Sequence, residues 1–358
     1  MIASKSLKTP FAISPVVIVL TVISGSNCMD AIVSQIHVCA PPLPWKTPTR
    51  TLFPTPILHA LSPTKHIAMM NLGEENMERI RNFIRSGKGA VGICAGAYLF
   101  TDTPGYACMH INGGKAIDIE HDNRGHGISA FSLTAEGKKL FPELAKRDKS
   151  YVMYYEGPVL VKSDSIPLPY TTMAIMETDV HEEGNAPANM TNNRPFFIAN
   201  EYGKGRVFSS ISHPEATPGM MWMIPRMVRW TLRMPVVAYS KRVVNPDLYN
   251  REILMTKDDL RKERGYYRTF LYGSPKEKIA ALDWLQACRS WDAKRWVQGL
   301  LFDNSPAVRE RAARFIAETD YLPFLSDLEA ACRVERDEQT KQRMVKHLEH
   351  LKALLPHK

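Results

Sequence analysis

The stretch Gly87-Lys88-Gly89-Ala90-Val91-Gly92-Ile93-Cys94-Ala95-Gly96-Ala97-Tyr98-Leu99 constrains this chain more than any other. Before it, Met77, Ile80, Phe83 and Ile84 recur at helical spacing, and Gly87 supplies a helix stop. Ala90 to Ile93 is too short for a helix and too apolar for a loop, so it reads as a buried strand. Gly92 and Gly96 flank Cys94 two positions before and two positions after. That pattern predicts a strand, a sharp turn and a new helix. Small residues let the turn close, and the central side chain is pushed out above the sheet. A helix beginning at once would turn its N-terminal dipole on the sulfur and favour thiolate. The Ala95 N–H would point at a developing oxyanion. Alone, G-x-C-x-G fits equally a buried structural cysteine in any β–α turn.

A second stretch narrows the choice: Gly203-Lys204-Gly205-Arg206-Val207-Phe208-Ser209-Ser210-Ile211-Ser212-His213-Pro214-Glu215. A glycine turn leads into a β-branched and aromatic strand that ends in His-Pro-Glu. Pro214 fixes φ, so His213 and Glu215 project from one rigid bend. His213 is suited to take a thiol proton, and Glu215 to orient the ring through its other nitrogen.

G-I-C-A-G together with G-K-G-R-V and the terminal H-P-E resembles a class I glutamine amidotransferase domain. More narrowly, the chain resembles the glutamine-amidotransferase-like domain known as the biotin-protein ligase N-terminal domain. Gly92 to Leu99, Tyr154-Tyr155-Glu156-Gly157-Pro158 and Gly203 to Glu215 carry that resemblance, which covers roughly residues 72–233. It implies an α/β, flavodoxin-like three-layer sandwich with a mainly parallel sheet. It puts Cys94, His213 and Glu215 in the catalytic positions, and Tyr155, Gly157 and Pro158 in a loop near the site. It implies neither a cofactor nor a metal.

One family feature is missing. Such domains carry a Pro-Gly-Gly-type loop that supplies a second oxyanion N–H. No Gly-Gly occurs between residues 30 and 86, and the corresponding place reads Ser62-Pro63-Thr64-Lys65-His66-Ile67. Losing one such donor costs roughly two to three orders of magnitude in rate.

The N-terminal segment, residues 1–71, is the least readable part. Lys5 and Lys8 precede an apolar run from Phe11 to Ile23, followed by Ser24-Gly25-Ser26. Two readings stay open: a secretory signal, or a first strand over Val16 to Val22 with a turn after it. Pro15 suits the start of a strand better than the middle of a signal helix. A proline-rich connection follows, from Pro41 to Pro63. The compartment follows from this choice: cytoplasmic with the strand, exported with a signal over 11–26.

Further on, Lys115 to Ile119 reads as a short strand, and Ser132 to Glu143 as a turn into an amphipathic helix. Residues 151–162, 171–180 and 196–202 read as strands, the first broken at Gly157-Pro158, and Gly219 to Met234 as a helix. His121, Arg124 and His126, with Cys108 and His110 nearby, match no metal-ligand spacing. They read as a polar loop at the mouth of a cleft, where Arg124 would meet a carboxylate. Asn189-Met190-Thr191 is a glycosylation sequon that matters only in an exported chain.

From about residue 250 the pattern turns helical. Ser274-Pro275…Ala281…Trp284-Leu285 is echoed by Ser305-Pro306…Ala312…Phe315-Ile316, a shift of 31 residues. A third helix, Glu338 to Leu355, begins about one period later. Ser-Pro is an N-cap and N1 signature, and the repeated spacing is a packing face. The segment 250–358 is similar to a HEAT-like array, after an amidotransferase-like domain at 72–240. Arg289, Arg295, Arg309, Arg311, Arg314, Arg343 and Lys346 give it basic faces, read first as solvated helix surface.

Composition leaves this picture room. The 358 residues are 44% hydrophobic and 23% charged, enough for two globular domains. A formal charge of +9 is spread along the chain and does not demand nucleic acid. The six cysteines (Cys28, Cys39, Cys94, Cys108, Cys288, Cys332) lack a C-x-x-C pair and read as reduced thiols. No stretch is long enough for an uninterrupted membrane span.

Three function classes follow. The first is a Cys-His-Glu hydrolase of a small amide, acting alone or with a separate acceptor subunit. The second is an inactive amidotransferase-like binding or scaffold protein that docks a protein partner through residues 250–358. The third, least favoured, is a nucleic-acid-binding repeat protein. Biotin ligation is not predicted, despite the family's name: no Gly-Arg-Gly-type motif or ligase catalytic domain is visible in this sequence.

Overall fold

The computed structural model describes residues 17–22, 36–39, 66–106, 108–183, 185–290 and 292–355. In chain order these form β1 (Val17–Val22), β2 (Ile36–Cys39), α1 (His66–Arg85), β3 (Gly89–Cys94), α2 (Ala95–Leu99), β4 (Gly114–Ala116) and β5 (His126–Leu133). There follow α3 (Ala135–Leu140), β6 (Ser150–Tyr155), β7 (Leu160–Lys162), β8 (Thr171–Met176), β9 (Pro195–Tyr202), β10 (Gly205–Ser210), α4 (Met223–Thr231) and β11 (Ile253–Leu254). The rest is helical: α5 (Lys257–Tyr272), α6 (Pro275–Ala287), α7 (Ala293–Leu300), α8 (Pro306–Glu318), α9 (Leu325–Val334) and α10 (Glu338–Leu354).

All six residues of β3 are buried, as its apolar run requires of a central strand. Its alternating side chains feed two cores. Ala90 packs with Met77, Ile80 and Ile84 of α1, while Val91 and Ile93 pack with Phe208, Met223 and Met227. Helices therefore cover both faces of the sheet at this strand. Each fully buried Ile contributes about 1.5–3 kcal/mol by leaving water.

Among the described residues the main sheet has nine strands, in the order β11-β5-β8-β9-β10-β3-β1-β2 with β6 on β5. It is mixed, not mainly parallel as expected. Among the described residues, parallel pairing is confined to β1 with β3 and β3 with β10. The cause is connection length, because parallel neighbours need a crossover of a dozen or more residues. Between β9 and β10 there are only Gly203 and Lys204, with Gly203 at φ 59°, and a two-residue turn enforces antiparallel pairing.

Several other boundaries moved. Residues 151–162 form two strands in different sheets, since β6 pairs with β5 and β7 with β4. The strand expected over Lys115–Ile119 is Gly114–Ala116, because Asp118 is drawn inward and accepts from the Val159 N–H at 3.1 Å. The strand at 171–180 stops at Met176. The helix expected from Gly219 spans only Met223–Thr231, because Gly219 sits at φ 75° with its carbonyl held by the Asn245 N–H at 3.0 Å. The eight-residue β5 was not anticipated; His126, Gly127 and Ser129 hide a buried strand behind polar letters. Helix α1 starts earlier than its periodicity, at His66, and kinks at Gly73.

Of the two readings of the N-terminal apolar run, Val17–Val22 is a strand, parallel to β3 with Val22 opposite Cys94. The proline-rich connection and Ser62 to Lys65 lie outside the described residues.

The C-terminal helices bury a separate core. The 31-residue echo is real in packing: Ala281 and Leu285 of α6 and Ala312 and Ile316 of α8 are all buried in it. Ser274 closes a capping box with Glu277, whereas Ser305 makes no side-chain cap bond. Helices α7 and α9 alternate with these two, and α10 ends at Leu354. Much of the basic surface is neutralised locally: Arg309 pairs with Glu335 and Arg311 with Asp283, each at 2.6 Å. Among the described residues no helix is long and apolar enough to cross a membrane.

Candidate active site

Strand β3 delivers Cys94 to a turn with φ 51° and ψ −112°. An L-residue adopts that conformation at a cost of about 1–3 kcal/mol, and such strain gathers where a side chain must be held out for use. Ala95 opens α2 immediately. The turn needs glycine before it: a Cβ on Gly92 would stand 2.7 Å from the Gly96 backbone and from the Phe100 ring. At five residues α2 is under two turns long, so its dipole is a minor influence on the sulfur.

The histidine arrives from the other side. His213 follows β10, and its N–H donates to the Met153 carbonyl at 2.8 Å. Thr217 Oγ1 donates to the His213 carbonyl at 2.7 Å and accepts from the Met153 N–H at 2.9 Å. The bend is thus tied to β6. Nδ1 of His213 lies 2.6 Å from Glu215 Oε1. Burial works against charge on this imidazole. The Glu215 carboxylate and then Cys94, acting as a charge and as a hydrogen-bond partner, outweigh burial and raise its pKa to about 9. Cys94, His213 and Glu215 are therefore brought together.

The Cys94 thiol also donates to the Tyr155 carbonyl at 3.3 Å. Tyr155 ends β6, Glu156 follows at φ 47°, and a Cβ on Gly157 would meet the Ile211 carbonyl at 2.2 Å. The Tyr155-Gly157-Pro158 loop does flank the site, and its carbonyl covers the sulfur. Cys94 is 2% exposed and His213 1%.

Arg124 is corrected. It stands at no cleft mouth but is fully buried. Its Nε donates to the Tyr154 hydroxyl at 2.8 Å, Nη1 to Asp118 Oδ2 at 2.8 Å and to the His121 carbonyl at 2.6 Å, and Nη2 to the Gly157 carbonyl. Burial opposes its charge, but Tyr154 and Asp118 prevail and hold the guanidinium above its ordinary range. With every nitrogen engaged and the side chain fully buried, Arg124 fixes the loop over Cys94 and is turned away from any substrate carboxylate. Its charge in the sequence signalled function, and only Asp118, six residues earlier, hinted at a structural pair.

Asn112 and Tyr321 went unread as contributors, and His126, His110 and Cys108 prove to have other partners than a cleft mouth. Buried Asn112 donates to the Ala97 carbonyl at 3.2 Å and to Ser209 Oγ at 3.1 Å, joining α2 to β10. The His126 ring lies 4.7 Å from the Tyr155 ring, and burial followed by Arg264 pushes its pKa down to about 4. Tyr321, from the helical segment, has its phenol pushed up to about 12 by burial and then by Glu215. His110 faces Asp102 at 2.7 Å and Cys108 faces Thr101 at 3.4 Å. Among the described residues no group of three His, Cys, Asp or Glu is placed to hold a metal ion.

No protein-family model matches the chain, and no curated protein matches it. Solved structures give weak superpositions. A ThuA-like protein from Parabacteroides merdae is 13% identical over 48% of this chain and 75% of its own, with a TM-score of 0.32. A β-galactosidase from Bacillus circulans sp. alkalophilus is 14% identical over 39% of this chain, with a TM-score of 0.25, and the chain spans only 18% of its length. A cytoplasmic protein from Salmonella typhimurium is 13% identical over 44% of this chain and 58% of its own, with a TM-score of 0.27. Likeness at this level carries no weight for fold, chemistry or compartment.

Proposed function

We propose that residues 72–240 are a class I glutamine amidotransferase-like domain of the biotin-protein ligase N-terminal type, built to hydrolyse a small amide through Cys94. One observation carries this: a cysteine in a strained strand–helix turn, beside an imidazole that Glu215 and the sulfur itself hold protonated. In the reaction the Cys94 sulfur, its proton already passed to His213 in the resting pair, attacks the amide carbon. Ala95 N–H steadies the oxyanion. His213 then protonates the leaving amine, which departs as ammonia from a primary amide, and a thioester remains. Water, deprotonated by His213, releases the carboxylate and restores the thiol. Glu215 keeps the imidazole oriented throughout.

The finer fold belongs to the same proposal. The parallel trio β1-β3-β10, with α1 and α4 on opposite faces of β3, is the centre on which a flavodoxin-like sandwich would be built. The 31-residue packing echo supports a HEAT-like array after it, suited to a protein partner. A cytoplasmic location goes with the strand over Val17–Val22.

Burial of Cys94, and the hydrogen bond from its thiol to the Tyr155 carbonyl, favour a second reading. In it the cleft stays closed, the triad is a relic, and the chain is an inactive binding or scaffold protein. Cys94 alkylation by iodoacetamide, followed by mass spectrometry as a function of pH, separates the two. The hydrolase reading expects alkylation at Cys94 to persist well below the ordinary thiol pKa of about 8.5, and His213→Ala to slow it at pH 7 by about tenfold or more. A Cys94 that follows ordinary thiol titration, unchanged by His213→Ala, overturns it in favour of the second reading.

A further inference from the structure

Between the Pro214–Ala216 turn and the helical array lies a half-open cavity of roughly 60 Å³. Met153, Ala216 and Pro218 form one wall; Leu285, Arg289 and Phe315 form much of the other. Tyr249, Lys294 and Tyr321 complete the rim.

Arg289 is the unusual member. It occupies the position just after the cap of α6 at φ 58°, where glycine is the ordinary choice. Its N–H donates to the Gln286 carbonyl at 3.2 Å, and the Ser290 N–H donates to the Leu285 carbonyl at 2.9 Å, so the helix end is a complete Schellman turn. A side chain is thus kept where a glycine would cost less. Its guanidinium lies 4.8 Å from the centre of the Tyr249 ring, and its buried Nε has no hydrogen-bond partner among the described residues. Neighbouring carboxylates are engaged elsewhere: Glu215 by His213 at 2.6 Å, Asp320 by His350 at 2.7 Å, Glu318 by Gln286 at 2.8 Å, and Glu263 by Ser290. Among the described residues this cation has a desolvated donor without an acceptor and no carboxylate paired with it, beside apolar walls.

We propose that this cavity binds a small organic carboxylate. Its anionic head accepts from the Arg289 fork, with Tyr249 beneath the guanidinium limiting the fork's tilt. Its apolar body rests on Leu285, Phe315 and Met153. That volume takes the head and first carbons of a carboxylic acid, and the open side takes the rest. An inorganic phosphate suits the site less: Lys294 is a second cation in the lining, but the walls are mostly apolar and lack the array of N–H donors that dianion sites gather. The ligand would touch the supports of His213 directly, because the Met153 carbonyl receives the His213 N–H and the Ala216 N–H donates to the His213 carbonyl at 3.1 Å. The site stands on Arg289 and its cavity, whether or not Cys94 is a nucleophile.

The test is calorimetric titration of benzoate into the full chain carrying Cys94→Ser, which removes the thiol chemistry from the readout. Expected is saturable binding at least about tenfold tighter than that of the isosteric neutral amide benzamide. Arg289→Gln should weaken benzoate by about 10- to 100-fold, the worth of a hydrogen bond to a charged group. If Arg289→Gln does not fold, Arg289→Lys, which keeps the charge and loses the planar fork, must still weaken benzoate several-fold. Equal binding of benzamide, displacement of benzoate by an equal concentration of inorganic phosphate, or parent-like affinity in a folded Arg289 variant each overturns the proposal.

Discussion

Two buried histidines set opposite demands on pH. His213 has its folded pKa raised from 6.5 to about 9, so its contribution is fully present below about pH 6.5 and is lost as pH rises through about 9. His126 has its folded pKa lowered from 6.5 to about 4, so the unfolded chain takes up its proton first and stability falls as pH drops from about 6.5 towards 4. Each effect is worth at most about 3 kcal/mol at 1.36 kcal/mol per pKa unit. Urea unfolding measured from pH 4 to pH 9.5 should give a maximum near pH 6.5. His126→Phe should flatten the acid limb and His213→Gln the alkaline limb. A stability that is level across this range, or variants that alter the opposite limbs, would show that neither imidazole titrates as its surroundings dictate.

At the scale of elements, capping separates helices that look alike in sequence. Both α6 and α8 begin Ser-Pro, and only Ser274 makes the reciprocal bonds with Glu277. Ser274→Ala should cost about 1 kcal/mol, and Ser305→Ala only a few tenths, in denaturant midpoints at constant slope. Equal losses would mean that Ser305 caps α8 in solution. The elbow is the other element-scale feature that sequence carried well. Its glycines are demanded within five residues, by contacts of Gly92 with Gly96 and Phe100. The Tyr155 loop was legible only as a neighbour of the site. What holds it, Arg124 with Asp118 and Tyr154, depends on a buried ion pair whose desolvation no spacing reveals.

Among the described residues, the sheet and the helical array bury apolar cores with separate membership. Ile80 packs in the core under β3, and Ile316 in the core of the helical array. Ile80→Ala and Ile316→Ala should each cost about 2–5 kcal/mol and, sharing no partners, add within about 0.5 kcal/mol in the double variant. Coupling well beyond that would mean the cores communicate through the seam where Tyr321 approaches Glu215. That approach is a tertiary matter: the two residues are far apart in sequence, and nothing in either local pattern points to the other.

What the sequence determined by itself is local and steric. The strand–turn–helix at Cys94, the rigid His-Pro-Glu bend and the 31-residue helix period follow from residue size, proline φ and packing faces within short windows. Only the tertiary structure decided the mixed pairing of the sheet, the internal use of Arg124, the carbonyl over the sulfur and the cation left facing a cavity at Arg289. Each of these depends on which distant groups meet and on how far water is excluded when they do, and those quantities exist only once the chain has closed on itself.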